Sequence, residues 1–148
     1  MKVTRVKKLM IAGISDITNN KNEVSEETEK ISPLWNKYME EDIHKKTFNK
    51  ANKDFLYGVY SDYVSDVNGD YKITVGTEVT KPKNAIVIED QKYLVFSNKG
   101  EFPNVVIDTW NQVWEYFADE NSDYKRAYKV DFEKYVTMEE IEIYISIQ

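Results

Sequence analysis

Shifted by 75 residues, the chain meets itself. Leu34-Trp35-Asn36-Lys37-Tyr38-Met39 falls on Thr109-Trp110-Asn111-Gln112-Val113-Trp114, with the Trp-Asn pair coincident and both apolar stripes in register. The same offset places Ile31 over Val106, Tyr57 over Phe132, Tyr60 over Tyr135 and Gly58 over Glu133. An internal repeat of this length constrains the fold strongly, because each copy must supply the same elements and bury its apolar face against the other. The repeats are expected to run over about residues 1–81 and 84–148 of one domain, 1–148.

Each copy reads as β-α-β-β. Val3 to Ile17 is β-branched and strand-like, with Gly13 as a candidate bulge. The polar run "TNNKNEVSEETEK" is a loop or lead-in to a helix over "SPLWNKYMEEDIHKK", with Ser32 as N-cap and Pro33 in first helical position. Ile31, Leu34, Trp35, Tyr38 and Met39 share one stripe, and His44 falls on the opposite, solvated face. "FLYGVYSDYV" and "YKITVGTEVT" form a hairpin, with Asn68-Gly69 as its turn. Asp66, Asn68 and Asp70 fit that turn better than a calcium loop, which needs more ligands and a closing Glu.

In the second half, "AIVIEDQKYLVFSNKG" is a strand or bent pair. "FPNVVIDTWNQVWEYFADE" is a helix with Val106, Trp110, Val113, Trp114 and Phe117 on one face. "YKRAYKVDFEKYV" and "EEIEIYISIQ" are the closing strands. The expected architecture is α+β: one antiparallel sheet, two main helices packed on it and a central cleft near the pseudo-twofold. Trp35 and Trp110 or Trp114 face that groove from opposite sides, unless they are simply core.

Composition removes several function classes. With 20 basic against 26 acidic residues the formal charge is −6, which argues against binding a phosphate backbone. There is no cysteine for thiol chemistry, one histidine makes a histidine-based metal site improbable, and no cofactor is implied. The start "MKVTRVKKLMIAGISD" imitates a signal peptide. Its apolar run from Leu9 to Ile14 is short, however, and Asp16 follows, so it reads as the first strand of a cytoplasmic protein with no membrane span. Aromatics at 14%, 11 of them tyrosine, suit ligand or partner surfaces as well as a core.

The segments "SPLWNKY", "YGVYSDYVSDVNGDYKITVGTEV", "KYLVFSNKG", "DTWNQVWEYF", "DFEKY" and "IEIYISI" occur in order across nearly the whole chain. Together they resemble the bacterial effector-binding domain of the gyrase-inhibitor-like superfamily. That domain is the ligand-sensing part of many AraC-type and MerR-type transcription regulators, and it also occurs alone, as in integron cassettes. The resemblance implies a central cleft for small hydrophobic compounds, often cationic, with aromatic walls and one buried glutamate. Phe132-Glu133-Lys134-Tyr135 matches the family's aromatic-Glu-x-Tyr segment, Trp35 its first-helix tryptophan and Tyr144 its last-strand tyrosine. Ser146 stands where relatives often have proline. The helix-turn-helix of the full regulators has no counterpart, so DNA binding is not carried over.

Local periodicity points elsewhere for Glu133. If "RAYKVDFEKYV" is a regular strand, Tyr128, Val130 and Phe132 share one face, and Glu133 joins Lys129 and Asp131 on the polar, solvent-facing side. A pocket role needs a bulge before Glu133 or a cleft on that second face.

The expected ligand site is Trp35, Tyr60, Trp110, Trp114, Glu133, Tyr135 and Tyr144, and the leading expectation is a stand-alone small-molecule binding domain. A hydrolase of reactive cyclopropane compounds is the alternative, with Glu133 as general base and Tyr60, Tyr135 or Tyr144 as hydrogen-bond donor. A third reading is a protein partner, as gyrase inhibition requires, met through the acidic clusters Glu23 to Glu29 and Glu139, Glu140, Glu142.

Overall fold

The structure is a computed structural model and describes residues 1–51 and 55–148. Among these residues six strands and four helices follow one another: β1 (Lys2–Thr18), α1 (Asn20–Glu23), α2 (Ile31–Glu40), α3 (Ile43–Lys46), β2 (Leu56–Ser61), β3 (Tyr71–Glu78), β4 (Ile86–Lys99), α4 (Asn104–Ala118), β5 (Asp131–Thr137) and β6 (Glu140–Ser146). All strand pairings are antiparallel, in the order β1-β3-β2-β5-β6-β4, and β4 returns to β1 so that the sheet closes into a barrel. Exchanging β1, β2, β3 for β4, β5, β6 leaves that order unchanged when read from the other end.

The single antiparallel sheet expected from the sequence is closed into a barrel. Closure depends on two long strands that each serve two neighbours. Residues 2–11 of β1 pair with β4 and residues 11–18 with β3, with Ile11 bonded to both sides. Gly13 is not a bulge, since its register with β3 is unbroken. It faces Gly76 just past the changeover, where a Cβ on either glycine would overlap the opposite backbone. Two facing glycines let the strands close up there.

The helices start differently from expectation. Ser32 does not cap α2. Glu23 does so from the end of α1, its carboxylate accepting from the Lys30 and Ile31 amides at 2.8 and 3.2 Å. The helix therefore begins earlier, and Pro33 lies in its first turn, where no intrahelical donor is needed. His44 is half-buried in α3, its Nδ1 3.2 Å from the Tyr38 hydroxyl, rather than on a solvated face. The β2–β3 hairpin forms, but its connection runs from Asp62 to Asp70. Asp62, not Gly69, has the left-handed conformation (φ 51°), and Asp66 accepts from the Asn68 amide. "RAYKV" lies before β5 rather than in it, and Tyr128 has φ 52°.

Packing follows from strand alternation. Tyr57, Val59, Tyr93, Val95 and Phe132 fill the barrel interior. The alternate residues Leu94, Phe96, Ile141, Ile143 and Ile145 face outward to Val105 and Val113 of α4. Likewise Ile73 and Val75 meet Leu34 and Tyr38 of α2. The buried stripe of α4 centres on Val105, Thr109 and Val113, rotated from the expected one. With α2 over β1 and β3, and α4 over β4 and β6, the central pair β2–β5 is left as a floor between two helical walls.

Candidate ligand-binding cleft

That floor sits on the symmetry axis. Tyr57 pairs with Lys134 and Val59 with Phe132, and the 75-residue offset carries each pair onto the other. The axis therefore passes through the remaining pair, Gly58 and Glu133. Two side chains cannot share it. A Cβ at Gly58 would overlap Glu133 Oε1, so the glycine makes room for the carboxylate.

Glu133 is only 3% exposed. No bulge precedes it; the register shift in β5 comes later, between Tyr135 and Thr137. The periodicity-based expectation of an exposed Glu133 is overturned because both faces of β5 are covered, Phe132 inside the barrel and Glu133 in the cleft. Three neutral donors hold the carboxylate: Trp110 Nε1 to Oε2 at 2.7 Å, Tyr60 to Oε2 at 3.1 Å and Tyr135 to Oε1 at 3.0 Å. Tyr60 and Tyr135 are equivalent under the offset.

Trp35 and Trp110 are equivalent too, and each stands edge-on to the tyrosine from the other half. Trp35–Tyr135 centroids are 5.3 Å apart at 79°, and Trp110–Tyr60 centroids 5.2 Å apart at 71°. Only Trp110 bonds the carboxylate, so the symmetry is broken at the indoles.

Burial raises the pKa of Glu133, and the hydrogen bonds from Trp110, Tyr135 and Tyr60 act against that rise. Burial first, then the nearby Glu133 charge, pushes the Tyr60 and Tyr135 phenols well above their usual range, so both remain donors. Among the described residues no cationic side chain pairs with Glu133.

The cleft over this floor has a volume of about 1690 Å³ and takes in Trp35, Leu56, Tyr60, Phe102, Trp110 and Tyr135. Trp114 also lines it, at 46% exposed, so these tryptophans are not simply core. Tyr144 is the exception among the expected site residues. It belongs to the other face of β6, stacked on Phe132 at 4.4 Å, with its hydroxyl donating to Glu142. Exposed Glu26, Asp66, Glu101 and Glu139 border the cleft, and among the described residues Arg126 is the one basic residue lining it.

Sequence reasoning missed the cleft residues Tyr63, Arg126 and Tyr128, and Asp131 behind them. The available signal was an arginine flanked by Tyr124 and Tyr128 a few residues before an aspartate in a strand. Among the described residues no helix is long and apolar enough to cross a membrane.

Known proteins share this fold. YobU of Bacillus subtilis (strain 168), named as a presumed transcriptional regulator protein, is 28% identical over 141 residues, 90% of this chain and 84% of its own length. The crystal structure of the Vibrio cholerae integron cassette protein VCH_CASS2 matches with TM-score 0.85 and 32% identity, covering 99% of this chain and 95% of that one. SAV2435, solved bound to tetraphenylphosphonium, shares the fold at TM-score 0.78 and 17% identity, covering 99% and 93% of the two chains. The Cass2 family model, integron-associated effector binding protein, matches residues 2–147, and the chain belongs to that family of effector-binding domains.

Proposed function

We propose that the protein binds small amphipathic organic cations in the β2–β5 cleft, with Glu133 as their counter-ion. One observation carries this reading: a carboxylate buried among aromatics, held by three neutral donors and, among the described residues, paired with no cationic side chain. Removing a charge from water without a counter-ion is costly, and an incoming cation relieves that cost. A diffuse organic cation is weakly hydrated and so loses little on entry. Its rings would meet the faces and edges of Trp35, Tyr60, Trp110 and Tyr135. Each cation–π contact contributes roughly 0.5–2 kcal/mol.

The border acts in the same direction. Glu26, Asp66, Glu101 and Glu139 give the mouth a negative field that draws cations in and weakens with added salt. The tetraphenylphosphonium bound by SAV2435 is an example of this ligand chemistry on a shared fold.

Tryptophan emission tests the reading, because Trp35, Trp110 and Trp114 all line the cleft. Methyltriphenylphosphonium should quench or shift the emission saturably, and neutral triphenylphosphine oxide much more weakly. A flat response to both would sink the proposal.

A further inference from the structure

Asp131 and Glu133 lie on the same face of β5, with Cα atoms about 7 Å apart, yet their surroundings differ. Asp131 is fully enclosed and its acceptor positions are taken. Oδ1 accepts from the Ser146 amide and hydroxyl at 2.7 and 2.8 Å; Oδ2 accepts from the Tyr63 hydroxyl at 2.6 Å and Arg126 Nη2 at 2.8 Å. Arg126 is the reverse case. Only Nη2 is engaged, by Asp131 and more distantly by the Tyr63 oxygen at 3.4 Å. No described residue accepts from Nε, which is shut off from solvent, or from Nη1.

Nε is closed to a ligand, but Nη1, with no described acceptor in a cleft wall, calls for one. The guanidinium is fixed in position, with the Tyr128 ring 4.4 Å from its carbon and Asp131 holding one nitrogen. Asp131 also cancels its charge, so the pair offers hydrogen bonds without repelling a cation at Glu133. The repeat shows that this feature is one-sided. The 75-residue offset puts Ala51 at the place of Arg126 and Leu56 at that of Asp131, so the other half has no such pair.

We propose that the Arg126 end of the cleft is a second ligand subsite. It takes a hydrogen-bond acceptor, a carbonyl or carboxylate, carried by the same cation that Glu133 neutralises. This rests on the cation-binding reading above and narrows it to cations bound in one orientation.

Three probes of similar bulk test it by calorimetry: propyltriphenylphosphonium, its 3-carbamoylpropyl analogue and its 3-carboxypropyl analogue. At least one acceptor-bearing probe should bind about tenfold more tightly than the propyl control, the range expected for hydrogen bonds to a charged donor. The carbamoyl and carboxylate arms show whether a neutral or an anionic acceptor is preferred. The paired variant Arg126→Gln/Asp131→Asn leaves no charge buried alone. It should keep affinity for the propyl control and lose the gain.

Equal or weaker binding of both acceptor-bearing probes overturns the subsite while leaving cation binding intact. So does a gain that persists in the paired variant. Failure of all three probes to bind overturns both readings.

Discussion

Gly58 and Glu133 face each other across β2 and β5 on the axis that relates the two halves of the barrel. The missing side chain at one position is what gives the carboxylate its place at the other. Replacing Gly58 by Ala should leave the fold intact, because the atom it overlaps is the mobile end of a side chain. The displaced carboxylate should lose its Tyr135 bond. Affinity for a phosphonium cation should fall about tenfold, the scale of one hydrogen bond to a charged group, with little change in midpoint of urea unfolding.

Cation binding should depend on pH through Glu133. Its folded-state pKa is raised, so lowering the pH protonates it while the protein is still folded. Affinity should therefore fall as the solution is acidified through that raised value. Tyr60 and Tyr135, which face it, stay protonated throughout. Near the raised value, binding should release a proton, seen as a dependence of the measured heat on buffer ionisation enthalpy. Glu133→Gln should abolish both effects.

The same shift gives a stability prediction of opposite sense. A carboxyl whose pKa is raised on folding stabilises the native state fully below its unfolded value, near 4.5, and that contribution disappears as pH rises through the folded value. Glu133→Gln should then be at least as stable as wild type at neutral pH, because no unpaired charge remains buried. Its relative advantage should shrink under acid conditions. Denaturant melts across that window measure it.

Trp110 and Trp35 should separate in behaviour despite their equivalence. Trp110→Phe removes the 2.7 Å bond to Glu133 and should move the pH midpoint of cation binding upward. Trp35→Phe removes no bond to Glu133 and should leave the midpoint in place while weakening affinity modestly. Equal midpoints in the two variants would contradict the hydrogen-bond assignment.

Asp131 holds Arg126, Tyr63 and Ser146 together, so Asp131→Ala should destabilise the protein by about 3–5 kcal/mol, the cost of stranding a buried charge. The paired Arg126→Gln/Asp131→Asn change should cost clearly less. Urea denaturation compares the two.

Much of this was legible in the chain. The offset equates Trp35 with Trp110 and Tyr60 with Tyr135, and those four residues surround the carboxylate. The α2 stripe and the β2–β3 pairing follow local patterning, whereas the buried face of α4 is rotated from the expected stripe. The burial of Glu133 does not follow local patterning either, because alternation assumes that one strand face meets solvent. Here β5 is covered on both sides, which requires closure by β1 and β4 and helical walls far away in sequence. Tyr144 was placed by resemblance, but alternation in β6 turns Ile143 and Ile145 toward α4 and Tyr144 toward Phe132. The Arg126–Asp131–Tyr63 cluster joins residues 68 positions apart and has no period to reveal it.

Glu133 is the proposed counter-ion for a bound cation. Calorimetric titration of wild type and Glu133→Gln with methyltriphenylphosphonium and triphenylphosphine oxide tests that role most directly. The substitution should weaken the cation at least tenfold and leave the neutral ligand nearly unchanged. Equal losses for both ligands, or none for either, would contradict it.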